Sequence, residues 1–528
     1  MAARSYQEIH MVGTMTNYRY ETRSEKKICN YLANGDIGRA EKILNVYGGI
    51  DYAFQYGYDS LAVILDAAPK NAHLDSEVIL GLYCEHLSKK GWARRAQAIL
   101  DQAEFRFRKT HLFDMIELGV AIRLGNDLNL EKITRWRNLQ NYLPLNQPLS
   151  DGIYCNCMVI ILVRLNRLDE ARSFGTRALE SYRIARQPYL QYFIHQHLAD
   201  IAVVTGELKM ARRHLRAAIS YFDKAGVCYG SEKESLEIIQ LALDFENGKM
   251  AHIPERAVQI RKKLSQTENV AEITVQISRI AAMSIYFLQG RAAANQFLKD
   301  SQIDYHQSQG EFSVALDVVM ANIDLLDGRS ERARHTLDEA KQQGIYSAIG
   351  VAVFETVIGK MEPSQTLLSS RASNYNTRYR VVSELIKASD ANAERKTTAM
   401  RKHVEQAMRI AVNEGLVEIF LEHREVVAKV SAKLAAGTFA RGHRQLARMA
   451  RQVHKLVQSS YIVPKQFSNL GISTQQLRVL ITLQNGSSNK QIARTLGLSE
   501  AAIKYHVTNL FRVFGVAKRG ELIEVTMQ

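Results

Sequence analysis

The sequence predicts an all-α chain: a superhelix of stacked helical hairpins, followed by a small four-helix module with a helix-turn-helix at its centre. Three observations carry this reading. Apolar residues recur at three- and four-residue intervals through the first 430 or so positions, and alternating Val, Ile and Thr runs that would build sheet are scarce. A short phrase built on Gly and Ala returns about every 40 residues. The last 57 residues, 472–528, are punctuated by Ser and Gly at the spacing of four short helices.

Composition narrows the class. The 528 residues have room for about three ordinary domains or one elongated array with an appendage, and a 46% hydrophobic content excludes a disordered chain. The five cysteines, Cys29, Cys84, Cys155, Cys157 and Cys228, offer only one close pair, of Cys-x-Cys spacing. They read as small buried hydrophobes in a reducing compartment rather than as disulfides or zinc ligands. Met1 to Thr22 has no apolar signal core, and no window approaches the roughly 18 apolar residues a membrane span needs. The expected location is cytoplasmic, with no membrane partner.

Residues 1–22 read as an N-terminal segment and 23–360 as the array. Arg167 to Ile184, Leu208 to Phe222 and Ser330 to Gln343 are amphipathic at helical spacing. The recurring phrase is Gly or Asn followed five residues later by Ala: Gly35/Ala40, Gly91/Ala96, Asn166/Ala171, Gly206/Ala211 and Gly328/Ala333, with degenerate copies at Gly125, Gly248, Gly290 and Gly359. From Asn166 the intervals to Gly206, Gly248, Gly290 and Gly328 are 40, 42, 42 and 38 residues. Gly or Asn accepts the left-handed backbone that ends a first helix, and the small Ala lets the second helix come close. These positions, as in "VVTGELKMARRHLRAAISYF" and "ILVRLNRLDEARSFGTRALESY", resemble the markers of tetratricopeptide-type repeats, at a period longer than the usual one of about 34. Such a stack implies a long concave surface for a peptide, protein or small molecule. Tyr154, Tyr189, Tyr192, Phe193, Tyr221, Tyr229, Tyr286 and Phe287 are the aromatics that either line it or pack between helices.

After Gly359 the composition changes. Met361 to Thr398 is rich in Ser, Asn, Thr and Arg and reads as turns and helix ends, and Ala399 to Leu456 reads as a last helical block. Residues 361–458 are therefore taken as the end of the array with a basic connector, and 459–471, containing Pro464 and Gly471, as a linker.

Charge separates the two parts of the chain. Of the net +15, residues 427–528 carry +12, from fifteen Lys/Arg against Glu500, Glu521 and Glu524, and no acid occurs between Val427 and Ser499. A basic excess concentrated in this way is the footprint of a polyanion partner, here double-stranded DNA. The basic stretch Arg441 to Lys455 can add phosphate contacts or pair with acidic patches on the array; the sequence leaves both open.

The module 472–528 divides into four helices. Ser473 or Thr474 caps the first, with Leu477, Val479, Leu480 and Leu483 inward and Gly486 at its end; Ser488 caps the second, with Ile492, Ala493 and Leu496 inward. Gly497 makes the turn into a third helix capped by Ser499. Its Ile503, Val507 and Leu510 face the core, and Lys504, Tyr505, Thr508 and Asn509 stay outside. Gly515 breaks the chain before Lys518 to Met527. Two short helices about Gly497, the second with a polar free face, make a helix-turn-helix whose recognition helix enters the major groove. Basic and amide side chains there read base edges, and Lys and Arg at the rim meet phosphates. Candidate DNA-facing residues are Lys490, Ser499, Lys504, Tyr505, His506, Thr508, Asn509 and Arg512. Lys490 and Arg512 suit phosphates, and Lys504, Tyr505 and Thr508 suit the groove. Val516, Leu522 and Ile523 serve a dimer contact or close the small core.

The tract "SNKQIARTLGLSEAAIKYHVTNLFRVFGV" resembles the LuxR-type DNA-binding domain. Asn489, Lys490, Ile492, Ala493, Leu496, Ser499, Ile503, Lys504, His506, Asn509, Gly515, Val516 and Arg519 stand at matching positions. Three departures are visible: Gln476 where that family usually has Glu, Ala502 in place of a common Thr, and Val513-Phe514 in place of Lys-Leu. The Ala502 change removes a backbone-phosphate contact that the resemblance implies. Ala407 to Leu434 resembles the segment that joins sensor array to DNA-binding module in large MalT-like regulators, similar to the maltose-regulon activator. Those regulators carry a nucleotide-binding domain first. No Gly-x4-Gly-Lys-Ser/Thr loop occurs in these 528 residues, so no nucleotide switch and no cofactor are expected.

Enzymatic readings find no footing in the sequence. There is no HExxH, Gly-x-Ser-x-Gly, dinucleotide or metal-ligand spacing, and the closest histidines, His195 and His197, point to different faces of a helix. The expected function is that of a transcriptional regulator, whose array senses a small molecule or protein effector and controls the helix-turn-helix. RNA polymerase and a second copy of the chain are further candidate partners. The alternative is an interaction scaffold or sequestering sensor in which the DNA-binding module is secondary.

Overall fold

The computed structural model describes residues 18–527 apart from 108–109, 125–129, 143–146, 166, 227–230, 265–270, 307–312, 344–375, 437–439, 441, 460–469, 485 and 497. Gly125, Asn166, Cys228, Tyr229, Gly359, Arg441, Gly497 and nearly all of the linker lie outside the described residues. Every regular element among those described is helical. No helix among them is long and apolar enough to cross a membrane. The chain forms two compact units, residues 1–161 with 177–186, and residues 162–176 with 187–528, so the stretch read as one array belongs to both.

The first unit contains α1 (Tyr18–Ala33), α2 (Ile37–Val46), α3 (Tyr52–Tyr56), α4 (Tyr58–Ala67), α5 (Glu77–Lys89), α6 (Ala93–Phe107), α7 (His111–Leu124), α8 (Leu130–Asn138) and most of α9 (Pro148–Arg164). Helix α1 opens inside the segment 1–22 that the sequence set apart. Ile28, Leu32, Ala40, Leu44 and Leu61 form one apolar cluster, and Leu80, Cys84, Ala96, Leu100 and Val120 form the next. Burial pushes the thiols of Cys84, Cys155 and Cys157 up to about 12, as expected of cysteines used as small hydrophobes.

The second unit shares α10 (Leu168–Ile184) with the first. It continues through α11 (Pro188–Val204), α12 (Leu208–Ala225), α13 (Glu232–Glu246), α14 (Ile253–Leu264), α15 (Ala271–Gln289), α16 (Arg291–His306), α17 (Ser313–Leu326) and α18 (Ser330–Gln343). The repeated phrase is a repeated hydrogen-bonded turn. Gly35, Gly91, Gly206, Gly248, Gly290 and Gly328 all have positive φ. After Gly35, Gly91, Gly206, Gly248 and Gly328 the next residue donates its N–H five residues back, as in Glu207 to the Ala202 carbonyl at 2.8 Å and Arg329 to the Asp324 carbonyl at 2.8 Å, which is the six-to-one bond of a Schellman end; at Gly290 the glycine's own N–H donates to the Ile285 carbonyl at 3.2 Å. Ala40, Ala96, Ala171, Ala211 and Ala333 are each 0% exposed, so any larger side chain there would hold the paired helices apart. The second unit is thus a run of antiparallel helical hairpins of tetratricopeptide-like build.

Residues 377–393 correct the sequence reading of turns through 361–398. They form α19 (Thr377–Ala393), capped by Asn376, whose Oδ1 accepts from the N–H groups of Arg378 and Tyr379 at 3.0 and 3.3 Å. Val381, Leu385 and Ala388 are buried, while Arg380, Ser389 and Asp390 occupy the solvent face and supplied the loop-like composition. Helix α20 (Thr397–Ala411) completes another hairpin, with Arg395 at φ 59° in the glycine position and buried Met400 in the alanine position. Then come α21 (Ile419–Glu422), α22 (Arg424–Ala435) and α23 (Arg444–Ser459).

This block is bound to the turns of earlier hairpins. The Arg378 N–H donates to the Thr205 carbonyl and its Nε to the Val204 carbonyl, both at 3.0 Å; the Val417 N–H donates to the Glu246 carbonyl at 2.8 Å, and Gln452 Nε2 to the Asn247 carbonyl at 2.6 Å. Two glycines make the approach feasible. A Cβ on Gly206 would lie 3.0 Å from the Arg378 nitrogen, and one on Gly248 would lie 2.7 Å from Leu456 Cδ1.

The chain ends in α24 (Thr474–Gln484), α25 (Asn489–Leu496), α26 (Glu500–Phe514) and α27 (Arg519–Met527). These helices share a core of their own, with Leu477, Leu480, Leu483, Ile492, Ile503, Leu510 and Leu522 buried.

Candidate nucleic-acid interface

Three serines set the frame of the C-terminal module. The Gln476 N–H donates to Ser473 Oγ at 3.2 Å while Gln476 Oε1 accepts from the Ser473 N–H at 2.7 Å. Ser488 and Gln491 repeat the arrangement at 3.3 and 2.8 Å. These are two capping boxes, each satisfying amides that the start of a helix leaves open. Gln476, counted above as a departure from the family pattern, therefore does the work that Glu would do. At α26 the box is halved: Ser499 Oγ accepts from the Ala502 N–H at 3.1 Å, and the methyl group of Ala502 offers no acceptor to return the bond.

Arg519, at the start of α27, ties the helices together. It donates to Asn489 Oδ1 at 3.4 Å and also to the Ser487 carbonyl, so the last helix holds the beginning of α25. Gln484 Nε2 donates to Thr526 Oγ1 at 2.9 Å from the other end of the module. Glu521 Oε2 accepts from the Ala517 and Lys518 N–H groups at 3.0 and 3.1 Å, which spends this acid on the backbone. Leu522 is fully buried, and Val516 and Ile523 pack against the same cluster, so these three close the core.

With the frame fixed, α26 presents a polar stripe. Lys504, Tyr505, Thr508 and Arg512 are all exposed, Tyr505 at 66%. They recur at helical spacing on the side opposite Ile503, Val507 and Leu510. Asn509 flanks the stripe half-buried and accepts from Arg512 Nη2 at 3.2 Å, which steadies the guanidinium. His506 lies nearer the core: it is half-buried against Tyr505, and its buried Nδ1 has no hydrogen-bond partner among the described residues. Ser499 is exposed at the N-terminus of α26, and Lys490 is exposed on α25. The sequence reading missed Arg494, which stands one turn beyond Lys490 and is equally exposed; an i, i+4 spacing was the available signal.

The aromatics of the array are mostly packing residues. Tyr154, Tyr192, Tyr286 and Phe287 are buried. Tyr189, Phe193 and Tyr221 are half-buried; Tyr189 hydroxyl donates to Glu232 Oε1 at 2.7 Å, and Tyr221 stacks on His195 with centroids 5.4 Å apart. His195 Nδ1 lies 3.0 Å from His214 Nδ1, and burial followed by the neighbouring His214 and Arg213 lowers His195 to about 4. Burial also lowers His197 to about 4, with Arg164 adding to the effect. Both rings are neutral at pH 7 and belong to packing. No group of three or more His, Cys, Asp or Glu among the described residues is placed to hold a metal ion.

Residues 471–526 match the family described as bacterial regulatory proteins, luxR family. No curated protein matches the chain. Among solved structures, a Rap protein complexed with Competence and Sporulation Factor is similar at 12% identity and a TM-score of 0.40, covering 76% of this chain and 98% of that one.

Proposed function

From a LuxR-family helix-turn-helix domain at residues 471–526, we propose that the protein is a DNA-binding transcriptional regulator whose helical hairpins sense a small molecule or protein effector. The observation that carries the proposal is the exposed Lys504, Tyr505, Thr508 and Arg512 stripe on a helix whose start and neighbours are rigidly capped. In this reading α26 enters the major groove. Lys504, Tyr505 and Thr508 meet base edges, a task for which Lys suits guanine acceptors and Thr suits either a base or a thymine methyl. Lys490 and Arg512 hold phosphates on the two sides, joined by the Ser499 hydroxyl, which still has its proton to donate. Asn509 and His506 support the stripe from its flank. Residues 23–360 and 361–458 are assigned to sensing and to connection, 459–471 to the linker. A homodimer and contact with RNA polymerase fit the same reading.

Salt-titrated binding of the full chain to duplex DNA tests it. Affinity should fall steeply as salt rises, and Lys504→Ala with Asn509→Ala should weaken binding at every salt concentration. Binding that ignores both salt and this double substitution would make the chain a scaffold or sequestering sensor instead.

A further inference from the structure

Helix α23 has two unlike faces. Leu446, Met449, Ala450, Val453 and Val457 are buried in the core of the second unit, Gln452 donates to the Asn247 carbonyl, and His454 Nδ1 lies 3.0 Å from Ser431 Oγ. Arg444, Arg448, Arg451 and Lys455 are all exposed and fall on one narrow stripe at i, i+4, i+7 and i+11. None of the four makes an ion pair or side-chain hydrogen bond among the described residues. Elsewhere in the same unit half-exposed arginines do find acids: Arg256 pairs with Glu237, and Arg401 with Glu405 at 2.8 Å. On α23 there is no acid to find, because none occurs from Val427 to Ser499. Among the described residues this stripe meets no acid, and its four cations are left facing solvent.

We propose that the solvent face of α23 is a second, sequence-independent DNA-binding surface, carried by the array rather than by the helix-turn-helix and gripping phosphates beside the bound site. The inference rests on the DNA-binding reading above. From Arg444 to Lys455 the stripe runs about 16 Å at 1.5 Å per residue, the length of about five base-pair steps at 3.4 Å. It contains cations flanked by Gln445 and Gln458 and no exposed apolar side chain, whereas a helix that seats in a membrane surface needs a free apolar face. Ser459 and Gly471 are 12 residues apart, a reach of at most about 40 Å, so the stripe and α26 can engage one duplex.

The test uses the full chain, mixed-sequence duplex DNA and the quadruple variant Arg444→Gln, Arg448→Gln, Arg451→Gln, Lys455→Gln. Each lost phosphate contact removes about 0.9 from the slope of log K against log salt, so the slope should flatten by about 3–4 and affinity at low salt should drop. Replacing the three arginines by Lys should keep the wild-type slope, which separates charge from any damage to folding. An unchanged slope in the quadruple variant, with Lys504→Ala/Asn509→Ala still weakening binding, overturns this proposal and leaves the helix-turn-helix reading standing. If neither variant weakens binding, both readings fall. Lost binding to phosphatidylserine vesicles with unchanged DNA binding overturns the proposal in favour of a membrane surface.

Discussion

Arg378 Nη2 lies 2.5 Å from Glu246 Oε2, and the carboxylate is almost wholly buried. The same guanidinium faces Glu418 at 3.9 Å and donates to the Val204 carbonyl, so one side chain joins three segments far apart in sequence. Taking away one partner of a buried pair leaves the other charge dry and short of compensation, here with Arg279 left nearby to oppose Glu246 and Glu418. Arg378→Met should cost about 3–5 kcal/mol in urea unfolding, and adding Glu246→Gln should recover part of the loss. A single substitution costing under about 1 kcal/mol would mean that the pair is solvated.

Asp51 gives the stability of the first unit a pH dependence. Burial raises its carboxyl from 3.8 to about 6, against the hydrogen bond from Ser150 and with the help of Glu85. The folded state therefore holds the proton more tightly than the unfolded state, and the associated stability is present below about pH 4 and lost as pH rises to about 6. The loss amounts to about 3 kcal/mol. Asp51→Asn, which keeps an acceptor for Ser150, should remove this descent when the two proteins are unfolded in urea across pH 4–7.

Capping in the C-terminal module is testable one residue at a time. Ser488→Ala or Gln476→Ala should each cost about 1 kcal/mol, and Gln476→Glu should cost nothing, because Glu closes the same box. Thermal unfolding of the full chain, followed by the protection of α24 and α25 amides from exchange, reads these differences locally.

Arg395 occupies the left-handed position that other hairpins give to glycine, and its side chain is exposed. Arg395→Gly should stabilise the chain by about 0.5–1 kcal/mol, since the relief of the left-handed strain exceeds the added freedom of the unfolded state. A lower urea midpoint in the variant would refute it.

Lys490 and Tyr505 should fail in different ways if they play the parts proposed for them. Lys490→Ala should weaken all duplexes alike and reduce the salt slope by about 1, whereas Tyr505→Ala should change the ranking of sequences by about 1–3 kcal/mol with the slope intact. Competition titrations across a duplex library separate the two.

Much of the architecture was legible because it rests on local chemistry. Gly206 with Ala211 and Gly328 with Ala333 encode a turn and a close approach within six residues, and Ser488 with Ile492 encodes a cap and a core position in five. The helix at 377–393 was obscured because the polar tracts on either side of its apolar centre dominate the composition of 361–398, although Val381, Val382, Leu385, Ile386, Ala388 and Ala391 all turn inward. The Arg519 to Asn489 link, and the bonds from Arg378 and Gln452 to hairpin turns, join residues that no local pattern connects. His506 sits where the helix borders the core, so it turns partly inward where Lys504 and Thr508 turn out, a difference that composition alone does not show.

The attachment of Gln452 to the Asn247 carbonyl spans 205 residues, and that of Arg378 to the Val204 carbonyl spans 174. On a translating ribosome at about 5–20 residues per second, the hairpin turns at 205 and 247 wait about 10–40 s for the segments that cover them. During that interval their carbonyls face water and the apolar seats of Leu416 and Leu456 stand empty. The early hairpins are therefore made and stacked well before the block that precedes the DNA-binding module can dock. A nascent chain stalled before position 377 would expose those seats to chaperones, and synthesis of the block through Leu456 is itself the event that closes them.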